Sequence, residues 1–114
     1  MEQEMQDLLE AVESGNKFIR LSAEKLLAFN DYLAANGFSV SRMEGVKIAG
    51  ERTGRRLDFD ILASRSYEDT WEIFMDPERS RVHVKELVEE ALREGGKFEF
   101  LVWAEEVPDW EDEP

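Results

Sequence analysis

The sequence predicts a single α+β domain of order α-β-α-β-β-β-α-β, a mainly antiparallel sheet with helices packed on one face. Three observations predict it. The apolar period drops from near 3.6 to 2 at Asn36-Gly37; the stretch Gly50–Gly54 carries turn chemistry between two alternating runs; and residues 101–104 are apolar on both parities, as a mid-sheet strand should be. With 42% hydrophobic and 11% aromatic residues in 114, the chain holds enough apolar side chains for one core. It divides into one domain over residues 1–104 and an acidic tail over 105–114.

Taken in order, Met5, Leu8, Leu9 and Val12 follow an i, i+3, i+4, i+7 rhythm, which predicts a helix over residues 2–14 with a wholly acidic polar face, stopped at Gly15. Its apolar stripe needs a partner, either this domain's own core or a second copy. Lys17–Leu21 reads as a short strand. Ser22 is suited to N-cap a helix over 23–36 carrying Leu26, Leu27, Phe29, Tyr32 and Leu33, closed by Asn36-Gly37. Phe38, Val40, Val46 and Ile48 then share one parity, predicting a strand with a bulge at Glu44-Gly45. After the turn at 50–54, Leu57, Phe59, Ile61 and Ala63 alternate with Asp58 and Asp60 to complete a hairpin. Trp71, Ile73 and Met75 alternate in a third strand ended by Asp76-Pro77. Val84, Leu87, Val88, Ala91 and Leu92 mark a helix over 82–94, released by Gly95-Gly96, and residues 97–105 form the last strand.

Composition narrows the chemistry. There is no cysteine, so a disulfide framework, a thiolate metal site and a cysteine nucleophile are all out of reach, and the lone His83 rules out histidine clusters and triads. No cofactor site is predicted. No apolar run approaches the roughly 18 residues of a membrane span, and acidic residues follow Met1 directly, so a cytoplasmic location is expected.

The most enzyme-like feature is Asp58-Phe59-Asp60, since carboxylates at i and i+2 of a strand share a side and could hold a divalent ion. Gly50-Glu51-Arg52-Thr53-Gly54-Arg55-Arg56-Leu57-Asp58-Phe59-Asp60 resembles the Gly-Ser loop and Asp-x-Asp strand of nucleotidyltransferases, except that no serine follows Gly50. That resemblance implies metal-dependent phosphotransfer at Asp58 and Asp60. The alternative is a strand with one wet face, and for Arg52, Arg55 and Arg56 either a phosphate-binding tip or a solvated turn that blunts a sheet edge. The helix, three strands and helix over 23–94 resemble double-stranded RNA-binding domains in order. Such a domain meets phosphates with a lysine-rich helix start, whereas the helix over 82–94 offers Lys85 and Arg93 against Glu86, Glu89, Glu90 and Glu94. Direct nucleic-acid binding is therefore not expected.

The net charge is −13, from 27 acidic and 14 basic residues, and it is unevenly spread. Residues 1–16 hold five acids and no base; residues 17–65 hold nine bases and six acids; residues 66–104 hold ten acids and five bases; and 105–114 hold six acids alone. Such a field repels phosphate backbones and attracts basic proteins. Like charges at i, i+3 and i, i+4, such as Glu86–Glu89 and Glu86–Glu90, cost roughly 0.2–0.5 kcal/mol a pair, so stability alone would have mixed the signs. The expectation is a non-enzymatic acidic binding or inhibitor protein. It would occupy a basic, nucleic-acid-binding surface of a nuclease, a restriction or CRISPR complex, or a toxin, as anti-restriction, anti-CRISPR and immunity proteins do. The candidate contact residues are Glu86, Glu89, Glu90, Glu94, Glu105, Glu106, Asp109, Trp110, Glu111, Asp112 and Glu113, with Trp103 either a further anchor or part of the core. The alternative is a homo-oligomeric accessory protein, a homodimer in the simplest case.

Overall fold

The computed structural model describes residues 2–13 and 18–107, and these form four helices and a four-stranded antiparallel sheet. The elements are α1 (Glu2–Glu13), β1 (Ile19–Ser22), α2 (Ala23–Ala35), β2 (Phe38–Ala49), β3 (Arg52–Leu62), α3 (Glu68–Phe74), α4 (Pro77–Glu94) and β4 (Lys97–Glu106). The strand order is β1-β4-β2-β3, so the last strand to be made lies inside the sheet, as its two apolar parities require.

Local chemistry explains most boundaries. The Ser22 hydroxyl accepts a hydrogen bond from the Lys25 amide at 3.3 Å and so caps α2. Gly37, at φ 81°, turns the chain out of that helix into β2. The β2–β3 hairpin closes through the two residues Gly50-Glu51 alone, with Ala49 opposite Arg52 and Gly50 at φ 64°. Arg52, Arg55 and Arg56 therefore lie within β3, where the spacing of glycines had suggested a longer turn.

One element differs in kind from the expectation. Residues 68–74 form a helix, not a third strand. Trp71, Phe74 and Met75 also fit a spacing of three and four, and Phe74 is buried, its segment resting against α4. Asp76-Pro77, read as a strand terminator, opens α4 instead. The Asp76 carboxylate accepts hydrogen bonds from the amides of Glu78 at 3.0 Å and Arg79 at 3.4 Å, and proline at the first helical position loses no hydrogen bond. The helix thus begins five residues before the predicted start.

The core lies between the sheet and the helices. Leu26, Phe29 and Leu33 of α2, Val84, Val88 and Ala91 of α4, and Met5, Leu9 and Val12 of α1 pack on Met43 of β2, on Phe59 and Ile61 of β3, and on Phe98, Phe100, Val102 and Ala104 of β4. The stripe of α1 is thus satisfied within its own chain. At the middle of the sheet β2 and β3 slip register, with Met43 opposite Ile61 but Gly45 opposite Arg56. A two-residue step on β2 faces a five-residue step on β3, so the irregularity falls at Glu44-Gly45 as expected but its extra residues belong to β3. Asp60 anchors the excursion by accepting a hydrogen bond from the Gly45 amide at 3.0 Å. Phe59 is folded inward over Gly45, edge-on to Phe98 with ring centroids 5.6 Å apart.

Candidate partner-binding surfaces

The fold sorts charge by layer. The four helices carry fifteen acidic and five basic residues, while the strands carry six acidic and seven basic. The helical layer is the acidic surface. On α4, Ser80, Val84, Val88 and Ala91 turn inward, which leaves Glu86 and Glu90 exposed and Glu89 half-buried. No ion-pair partner reaches these three among the described residues, nor Glu10 and Glu13 on α1.

Glu94 is different. Its carboxylate receives two hydrogen bonds from Arg56, at 2.5 and 2.8 Å, and one from Lys47 Nζ at 2.8 Å, and Arg56 also grips Asp58 at 2.9 and 3.1 Å. The Arg56 guanidinium and then Lys47 hold the Glu94 carboxyl down at about 2, and Arg56 likewise lowers that of Asp58, while both carboxylates raise Arg56. Glu94 thus ties the end of α4 to the sheet and stands apart from the Glu86–Glu90 row. A carboxylate with a lowered folded-state pKa contributes stability above its unfolded value near 4.5, and that contribution disappears as pH falls toward 2. The melting temperature is accordingly expected to drop between those values, and more gently in Glu94→Gln. Identical slopes for the two proteins would contradict the assignment.

Glu105 and Glu106 sit at the far end of β4 from Glu94, about 30 Å away along a ten-residue strand. With Glu13 at the end of α1 they line an open groove of about 730 Å³, together with Phe38, Arg42, Leu62 and Trp103. Glu13 joins them because α1 packs along β4, a tertiary contact with no local signature in the sequence. Asp109, Trp110, Glu111, Asp112 and Glu113 lie outside the described residues.

The other candidates are engaged inside the chain. Asp58 is held by Arg56, and Asp60 by Arg55 at 2.5 Å as well as by the Gly45 amide, so each member of the Asp-x-Asp pair has its own arginine. No group of three metal-ligating side chains occurs among the described residues. Arg55 further reaches Glu44 at 3.5 Å, which leaves Arg52 as the exposed arginine near the hairpin tip without an ion pair among the described residues. His83 is half-buried on α4, beside Glu86 in a shallow hollow. None of the helices is long and apolar enough to cross a membrane, among the described residues.

Trp103 belongs to neither the core nor the acidic layer. It faces outward from β4, with Phe18 5.3 Å from its ring and the Arg42 guanidinium 4.8 Å above it. The sheet face around it carries no described helix. It was not predicted as a surface, because alternation alone marks a face as polar or apolar without saying whether anything covers it. No protein-family model matches the chain, and no curated protein matches it either.

Proposed function

We propose that this is a non-enzymatic binding protein whose acidic helical layer occupies a basic surface of a partner protein, of the kind that serves nucleic-acid binding. The observation that carries the reading is the division of charge by layer: fifteen acids against five bases in the helices, near balance in the strands. Glu86, Glu89 and Glu90 support it further, as neighbouring like charges without a cationic partner among the described residues, an arrangement that costs stability. Glu13, Glu105 and Glu106 give a second, smaller acidic site along the groove they line. Carboxylates spaced in this way attract a groove built for phosphates and steer its approach from a Debye length of about 8 Å at physiological salt.

The test is capture from a lysate rich in nucleic-acid-processing proteins. Basic proteins should be retained at about 50 mM salt and released by about 500 mM, and added duplex DNA or RNA should compete. Glu86→Gln, Glu89→Gln and Glu90→Gln together should weaken retention on the order of tenfold while leaving the melting temperature in place. Partners that ignore salt, nucleic acid and the triple substitution would refute the reading.

A further inference from the structure

We propose that the face of the sheet that no described helix covers binds the same face of a second copy, giving a twofold dimer with two sheets in contact and the acidic helices outermost. Trp103 and Leu101 of β4, Val46 and Ile48 of β2 and Leu62 of β3 are brought to this face by the register, Arg42 lying opposite both Trp103 and Leu62. Phe18 and Leu62 are 48% and 50% exposed and Leu101, Trp103 and Ile48 are half-buried, so apolar side chains of this face reach solvent.

Charge selects the occupant. The arginines of this face are matched within the chain, Arg20 by Glu99, Arg42 by Glu44 at 2.7 Å, and Arg55 by Glu44 at 3.5 Å, while Lys97, opposite Ile48, has no ion pair among the described residues. The middle of the face therefore offers a second copy little repulsion, with Lys97 and Glu105, both without an ion pair among the described residues, at opposite ends of β4. The helical layer, ten charges negative, repels the helical layer of any other copy. A copy approaching sheet to sheet keeps the two acidic layers on opposite outer surfaces, with the sheets about 10 Å apart and both helical layers beyond them. The dimensions are adequate. Three strands of 12, 11 and 10 residues and a fourth of 4, about 4.8 Å apart, present on the order of 500–600 Å² in plan. Side chains standing from that plane bring the accessible area near the roughly 800 Å² per partner of a stable interface. Tryptophan and arginine at its middle are the residues that interfaces favour.

Sedimentation equilibrium of the full chain between about 1 and 300 µM should show a species of twice 13.2 kDa, tightening as salt screens the two acidic layers. Leu101→Glu, at the centre of the face, should raise the dimer dissociation constant at least about 30-fold. Leu62→Glu, at a half-exposed site that the fold tolerates, should weaken it in the same direction. Glu86→Gln with Glu89→Gln and Glu90→Gln should leave the dimer unchanged, so loss of partner capture and loss of the dimer are separate results. A monomer at every concentration would overturn the proposal. So would a dimer indifferent to both leucine substitutions in folded protein, one abolished by Glu86→Gln with Glu89→Gln and Glu90→Gln, or a ladder of ever larger species, which would signal sheet-to-helix contacts that do not close.

Discussion

Phe100→Ala is expected to lower the stability of the fold by about 3–5 kcal/mol, the range for emptying a fully buried phenylalanine site. Phe100 is 0% exposed and sits in the central strand, opposite Leu21 of β1 on one side and Gly45 of β2 on the other. Its ring is held by strands on both sides and by the helical layer above, so the cavity cannot close by a small shift of one neighbour. For a chain of this length the melting temperature should fall by roughly 12–20 °C. Calorimetry showing a drop of less than about 5 °C would mean that the site collapses and that the core is looser than its burial indicates.

Gly45→Ala should also destabilise, for the opposite reason. A Cβ at position 45 would lie 2.8 Å from the Phe59 Cβ and 3.5 Å from the edge of the Phe100 ring. The Phe59 Cβ is fixed by its own backbone inside the β3 excursion, so relief requires that backbone to move. Overpacking of this kind costs about 1–3 kcal/mol, against about 0.4–1 kcal/mol gained by restricting the unfolded chain. The clash prevails, and a fall of several degrees in melting temperature is the expected reading; a rise would show that the excursion is plastic. Because both substitutions act on one aromatic cluster, their effects should not add.

The elements that the sequence made legible are those fixed by chemistry within a few residues. Ser22, Asn36-Gly37 and Gly95-Gly96 each end or begin an element through their own backbone preferences, whereas the turn read over residues 50–54 is confined to Gly50-Glu51. Residues 68–74 were not legible because seven residues are too few to separate a period of 2 from one of 3.6, and the burial of Phe74 decided the outcome. Asp76-Pro77 carried a helix-start signal that the strand reading obscured: a carboxylate cap followed by proline at the first helical position.

The acidic surfaces were legible as sums of charge and illegible as pairs. Nothing near Glu94 in sequence shows that Arg56 and Lys47 will meet it across the sheet. Nothing near Trp103 shows that the face it occupies has no described helix over it. That Glu13 lines the same groove as Glu105 and Glu106 follows from the docking of α1 along β4, and so from the packing of the whole core.

The place of β4 has a consequence for how the chain acquires this shape. Among the described strands β1 pairs only with β4, and β2 has β4 along one entire edge. During synthesis the β2–β3 hairpin can close as soon as residue 62 has emerged, but residues 19–22 have no strand to join until residues 97–106 follow. Loop closure over that separation is slow, and until it occurs one edge of β2 presents unpaired amides and carbonyls to its surroundings. The strand that completes the sheet therefore also shields it, and the nascent chain is most prone to stray association in the interval before residue 97 emerges.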